Sequence, residues 1–266
     1  MTDLRLGRWQ DVLADDPADG SVRLILTSPP YDNARTYEGT NEPVDFGELA
    51  AWSIRKLMPG GTMAMVLDGA VNDGVQSVTP YRVICEWAAL EGWRLLQVLA
   101  YGRRGVPGEY KGRFRKDHEP LILMVKDGAL HVCDKHRISQ KSEGTLVRGS
   151  TFANRDGSKR GPSNASIVAR ETVHRGSVWI YDVGNGHDPS SASGHPATFA
   201  EAFARDAVDV WSNPGDLVVD PFAGSATVGR ACEDLGRRFI GAERVPKYHA
   251  IGMQRLAQRG LFGVAS

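Results

Sequence analysis

Cysteine is scarce in this chain of 266 residues, with three in all: Cys85, Cys133 and Cys232, far apart from one another. No Cys-x-x-Cys pair occurs, which argues against a thiolate zinc site, and no metal is expected. The same spacing argues against a disulfide scaffold. No apolar run approaches the ~20 residues that span a bilayer. Met1-Thr2-Asp3-Leu4 does not open a signal peptide, so a cytoplasmic protein without membrane attachment is expected. An excess of either charge is missing too: 32 Lys and Arg balance 32 Asp and Glu, so overall charge advertises no polyanionic partner. Internal repeats are absent.

What is present is a core-forming composition, 41% apolar, enough for one large domain or two small ones. The chain opens with a short strand, a helical turn and a strand into Thr27. Phe46–Leu57 has helical spacing and meets Pro59-Gly60-Gly61, read as a helix stop. Thr62–Leu67 reads as a buried strand and Tyr81–Leu90 as a helix. Trp93–Tyr101 and Leu121–Val125 read as strands, and Ser177–Val183 as another. Helical spacing returns over Phe199–Trp211, Val228–Leu235 and Pro246–Gln258. Strands alternating with helices predict an α/β fold with a mostly parallel sheet and helices on both faces. The pair 93–101 and 121–125 is predicted to form an antiparallel edge hairpin.

Two turns stand out. The apolar run Val22–Leu26 leads into Thr27-Ser28-Pro29-Pro30-Tyr31. That places the tetrapeptide at the carboxyl end of a strand, where open α/β sheets bind ligands. Two prolines remove two backbone donors and stiffen the turn. Carbonyl oxygens and an aromatic face remain, which suit a planar group bearing an exocyclic amine. The second turn follows the strand Leu217–Val219: Asp220-Pro221-Phe222-Ala223-Gly224-Ser225-Ala226-Thr227. Strand, small-residue turn and helix let a cofactor approach the backbone closely. The next strand, Phe239–Ala242, ends in Glu243, roughly 20 residues on, the spacing of a ribose-binding acid; a surface acid at a strand end is the other reading.

Charge is uneven despite the zero sum. Lys126–Arg175 holds ten Lys and Arg against five Asp and Glu. Arg103, Arg104, Lys111, Arg113, Arg115 and Lys116 crowd the loop before residue 118. Such a face fits phosphate contact; a solvated insertion fits it as well, above all over 140–170.

Taken together, the two turns resemble the S-adenosylmethionine-dependent amino-group DNA methyltransferases. In that family a (D/N/S)PP(Y/F) turn holds the target amine and a DPFxGSGT-like turn the cofactor. Their order here resembles the permuted β-group. His195-Pro196-Ala197-Thr198-Phe199, Lys116–Lys126, Gly236–Glu243, and Tyr248 with Arg255-Leu256 resemble further family segments. The resemblance covers most of the chain outside 127–175. It implies a Rossmann-like methyltransferase domain formed by 1–126 and 176–266, with 127–175 as a candidate target-recognition insertion. It implies S-adenosylmethionine as cofactor and double-stranded DNA as substrate. Ser28, Pro29, Pro30 and Tyr31 are then catalytic, and Tyr31 stacks on a base flipped from the duplex. Carbonyls of Ser28 or Pro29, with Ser28 Oγ, accept the amine hydrogens. Asp220, Pro221, Phe222, Gly224, Ser225, Thr227 and Glu243 belong to the cofactor site. His195 and Thr198 join them near the methionine carboxylate, unless His195 only opens the helix after it. Arg35, Tyr37, Arg103, Arg104, Lys111, Arg113 and Arg115 are the DNA-contact candidates; Arg35 and Tyr37 also read as ordinary surface side chains of a loop.

Departures matter. Ala226 replaces the usual Gly. The family's Gly-Asp before the catalytic strand is Gly7-Arg8-Trp9 here, leaving the cofactor's adenine amine without an evident acceptor; Asp11 is a candidate. No cysteine follows a proline, unlike the ring-carbon cytosine methylases. Ser at the first turn position favours cytosine N4 over adenine N6. An RNA methylase of the same fold and an inactive DNA-binding module stay open. A nicotinamide dehydrogenase is disfavoured, since Gly224-Ser225-Ala226 lacks G-x-G-x-x-G. A homodimer and an accompanying restriction enzyme are both compatible with the chain.

Overall fold

The structure, a computed structural model, describes residues 1–30, 43–104, 112, 114–128, 132–141, 156, 158, 172–182 and 200–258. Its framework is an eight-stranded sheet. In chain order the strands of that sheet are β1 (Thr2–Leu6), β2 (Val22–Thr27), β3 (Leu57–Val66), β6 (Trp93–Arg104), β7 (His118–Lys126), β10 (Val178–Asp182), β11 (Leu217–Asp220) and β12 (Arg238–Glu243). Short pairs complete the strands: β4 (Val71–Asn72) with β5 (Val75–Gln76), and β8 (Gln140–Lys141) with β9 (Thr172–Val173). Across the sheet the order is β1-β12-β11-β2-β3-β7-β6-β10. Every neighbouring pair is parallel except the two made by β7. The predicted antiparallel hairpin is present as β6–β7, one strand in from the edge, because β10 pairs parallel onto β6.

Side-chain alternation explains the layering. Leu24, Leu26 and Val218 face a core built with α4 (Glu201–Trp211), α5 (Thr227–Asp234) and Leu256 of α6 (Pro246–Ala257). Ile25, Leu217 and Val219 face the opposite core with α1 (Trp9–Val12), α2 (Phe46–Lys56) and α3 (Thr79–Ala88). Two of the buried indoles find backbone acceptors: Trp52 Nε1 donates to Leu13 O at 2.9 Å, and Trp87 Nε1 to Phe46 O at 3.0 Å. Asp45 caps α2 by accepting from Gly47 N and Glu48 N, each at 2.9 Å, with Arg55 and Lys56 in the last turn, so both helix ends carry favourable charge.

One sequence expectation needs correcting. Helix α2 does stop ahead of Pro59-Gly60-Gly61, at Lys56, but the strand expected from Thr62 begins earlier: β3 starts at Leu57 and runs through the Pro-Gly-Gly segment. A register irregularity between Val22 and Leu24 absorbs the Pro-Gly-Gly segment, and Gly60 takes φ +74. In the stretch 127–175, described residues pack against the main core. Val132 and Ile138 are buried, Ile138 lies in the core with α4, and Arg137 donates to Asp209 O and Ser212 O at the end of that helix, both at 2.8 Å.

Candidate active site

The two turns meet because their strands are neighbours. β2 and β11 lie side by side in parallel, with Val218 opposite Leu24 and Val219 opposite Ile25. Both strands therefore end at the same sheet edge. Just there Thr27 Oγ1 donates to Asp220 Oδ1 at 2.6 Å in a buried bond between residues 193 apart in the chain. Ser28 is the next residue after Thr27, and Pro221 the next after Asp220.

The turn after β11 is held from three sides. Asp220 Oδ1 also accepts from Phe222 N at 3.0 Å. Glu243, at the end of β12, takes one backbone donor on each oxygen: Gly224 N at 2.9 Å and Val245 N at 2.7 Å. Arg255 of α6 donates to Ser225 Oγ at 2.9 Å and Thr227 Oγ1 at 3.1 Å, and pairs with Glu201 of α4. Within the turn Gly224 has φ +53 and Ala226 φ +59. Glycine takes that conformation freely. For Ala226 it costs about 1–2 kcal/mol, and the fastening around it holds the turn in place.

Asp220 and Glu243 form an acidic floor. Burial pushes the Asp220 carboxyl up to about 7, opposed by the hydrogen bonds from Thr27 and Phe222 and reinforced by the nearby Glu243. Burial also raises Glu243, against the two backbone N–H groups it accepts from. Among the described residues neither carboxylate is in an ion pair. Such a floor stays partly protonated until a cation arrives, and a cationic ligand would favour its ionised form.

A cleft open to solvent lies over this floor. Ser28 and Pro30 border it from β2, and 220–225 with Thr227 and Val228 from the β11–α5 connection. Glu243–Val245 border it from β12, Gly7–Gln10 from β1, and Pro43–Asp45 from the start of α2. Of the expected site residues, Ser28, Pro30, Asp220, Pro221, Phe222, Gly224, Ser225, Thr227 and Glu243 thus come together on one cleft. Pro29 is buried beside it. Tyr31, Arg35, Tyr37, Lys111, Arg113, His195 and Thr198 lie outside the described residues.

The basic candidates sit farther along the same edge. Arg104 and Arg115 are exposed. Arg103 is committed to Glu119 at 2.8 Å, both largely buried, so its charge is spent within the protein. Lys116 pairs with Asp68, which also receives Gly69 N at 2.7 Å. β6, which carries Arg103 and Arg104, is three strands from β2, about 14 Å at ~4.8 Å per strand.

Several cleft residues escaped the sequence reading. Arg8, Trp9 and Gln10 line the cleft, whereas Asp11 does not. Helix α1, which carries Trp9 and Gln10, spans four residues, too few for a periodic signal. Arg255 showed only as part of a helix; its reach to a turn 28–30 residues earlier is tertiary information. Thr27 carried one available signal, a hydroxyl residue closing a strand immediately before the Pro-Pro turn.

A mostly parallel sheet covered on both faces, with acids at the ends of two adjacent strands beside a Pro-Pro turn, is the arrangement of a Rossmann-like ligand-binding fold. Comparison with known proteins gives the family. The family model described as DNA methylase, of the N6/N4 type, matches residues 22–254, and the chain belongs to that family. It is 37% identical over 277 residues to the type II methyltransferase M.XycI of Xanthomonas campestris pv. cyanopsidis, covering 89% of this chain and 82% of that protein. Its fold is similar to that of the PvuII DNA methyltransferase (cytosine-N4-specific), with a TM-score of 0.65 and 22% identity, covering 98% of this chain and 88% of the other. It is also similar to the M1.HpyAVI–SAM complex, with a TM-score of 0.63 and 21% identity, covering 97% of this chain and 100% of the other.

Proposed function

We propose that this chain transfers a methyl group from S-adenosylmethionine to N4 of cytosine in double-stranded DNA. One observation carries the reading: the Ser28–Pro30 turn and the Asp220–Thr227 turn border a single cleft, tied by the Thr27–Asp220 hydrogen bond.

The cleft fits the cofactor on its own chemistry. A floor of two buried carboxylates without ion-pair partners among the described residues suits a ligand carrying an ammonium and a sulfonium. Asp220 would meet the ammonium. Glu243 keeps lone pairs for ribose hydroxyls after accepting its two backbone N–H groups. Gly224 borders the cleft without a side chain, which leaves room for the ligand's body. When bound, the cofactor supplies an activated methyl group.

The chain supplies the acceptor side. A base in a duplex is stacked and paired, so it must be extruded to reach this cleft. The backbone carbonyls of Ser28 and Pro29, with Ser28 Oγ, accept the hydrogens of its exocyclic amine. Neither Pro29 nor Pro30 has an N–H to compete for those hydrogens. The bonds draw electron density to the nitrogen and aim its lone pair across toward the Asp220 side. No covalent enzyme intermediate is needed, since the amine is the nucleophile, and its surplus proton leaves after transfer. Alignment then supplies much of the rate gain. Exposed Arg104 and Arg115 take flanking phosphates, and target recognition is assigned to 127–175 on its basic composition. A cytoplasmic enzyme with access to the chromosome fits this reading.

Ser28 at the first turn position favours cytosine N4. Adenine N6 is the alternative within the family. Incubation with duplex DNA and methyl-labelled cofactor, followed by nucleoside analysis, tests the choice: N4-methylcytosine is expected, N6-methyladenine would replace it, and transfer to RNA alone would overturn DNA as substrate.

A further inference from the structure

The strand order fixes which end of the cleft meets which part of a ligand. Resting on the cofactor reading above, the transferable methyl faces Ser28 at the end of β2, and the ribose faces Glu243 at the end of β12. β1 pairs with β12 on the far side, with Leu6 opposite Glu243 and Gly7 N donating to Glu243 O at 3.0 Å. The adenine, on the far side of the ribose from the methyl, therefore lies toward β1, over the segment Gly7–Gln10.

Adenine presents an exocyclic amine there, and an amine needs an acceptor. Arg8 and the Trp9 indole have only donors on their side chains. Trp9 is in addition buried and packed at 5.2 Å, tilted, against Trp52. Asp11 does not border the cleft. Gln10 does, and its carboxamide is oriented: Nε2 donates to Glu48 Oε2 at 3.0 Å. A carboxylate partner fixes the nitrogen end of the amide toward itself, which leaves Oε1 to accept elsewhere.

We infer that Gln10 is the specificity residue for the adenine ring of the cofactor, its Oε1 accepting from the exocyclic amine, with Glu48 setting the orientation. A neutral carboxamide thus takes the place of an acid. The competing acceptor on the cleft wall is Asp45. Its Oδ1 is engaged by Gly47 N and Glu48 N as the cap of α2.

The test compares two ligands by calorimetry: S-adenosylhomocysteine and its 6-desamino (purine riboside) counterpart. Wild type should favour the amine-bearing ligand by about five- to tenfold, the value of one neutral hydrogen bond. In Gln10→Ala, and in Gln10→Met, which keeps the chain length and preserves packing, the ratio should fall to about one while affinity for the desamino ligand holds. A ratio retained in either variant overturns the proposal, as does a wild type that does not discriminate. Loss of the ratio only in Asp45→Ala would overturn it by giving the amine to Asp45. A wild type that binds neither ligand would overturn the cofactor reading itself.

Discussion

The two halves of the sheet on either side of β2 use charge in opposite ways. On the β11–β12–β1 side, the carboxylates Asp220 and Glu243 are buried without ion-pair partners among the described residues, held by a threonine hydroxyl and backbone N–H groups. On the β3–β7–β6 side, buried acids are neutralised by bases, Asp68 by Lys116 and Glu119 by Arg103, and exposed arginines remain outside them. The zero net charge conceals this division. An unneutralised anionic floor suits a small cation; a basic rim suits a polyanion. The strand between them carries the Pro-Pro turn, where the two ligands would react.

This division can be broken one side at a time. The largest effect is expected from the double change Pro29→Ala and Pro30→Ala. Turnover should fall about 100-fold, the effect of a misplaced reacting group, while cofactor affinity stays within about twofold of wild type, a neutral-change margin. Loss of both together would mean that the turn belongs to the cofactor site. Next, Asp220→Asn should weaken cofactor binding by about 2–3 kcal/mol, the worth of a charged hydrogen bond. Its thermal stability at pH 8 should equal or exceed that of wild type, because a neutral group of the same shape replaces a buried carboxylate that is mostly ionised at that pH and costly to desolvate.

The pH dependence follows from the same residue. Asp220 is raised in the folded state, to about 7. Between the unfolded carboxylate value near 4 and that point, the folded chain binds the extra proton. Its contribution to stability is therefore largest at the acidic end and declines as pH rises toward 7. Binding of a cationic cofactor should show the reverse, strengthening as pH rises through 7 and levelling above it. In Asp220→Asn both trends should weaken, leaving the part that belongs to Glu243, which burial also raises, read by melting curves and by calorimetry over pH 5–9.

On the basic side, Arg104→Glu with Arg115→Glu should weaken DNA binding and lower the salt dependence of log K by about one for each phosphate that is no longer neutralised. Cofactor affinity should not move. The smallest effect is expected at Ala226→Gly. Relief of the φ +59 strain and removal of a buried methyl oppose each other, so unfolding free energy should change by no more than ~1 kcal/mol.

The fold and the floor of the site were legible because both are written as strand-end motifs. Val22–Leu26 into Ser28, Leu217–Val219 into Asp220, and Phe239–Ala242 into Glu243 each join an apolar run to a chemically distinct terminus, and parallel strands bring such ends to one edge. What stayed hidden depends on packing between distant segments. Gln10 acquires its orientation from Glu48, and Arg255 reaches back to Ser225. The pairing of Arg103 with Glu119 across two neighbouring strands is likewise tertiary information. Pro59-Gly60-Gly61 carried the composition of a break, yet β3 pairs with β2 on both sides of it, Leu57 with Val22 and Thr62 with Leu24, so the strand includes it.

The most direct measurement is methyl transfer to a defined DNA duplex by wild type and by the Pro29→Ala, Pro30→Ala double variant, in parallel with cofactor binding by each. The account predicts N4-methylcytosine from the wild type, almost none from the variant, and matching cofactor affinities. A variant that binds cofactor and still methylates DNA at the wild-type rate would show that the amine is held somewhere other than the turn after β2.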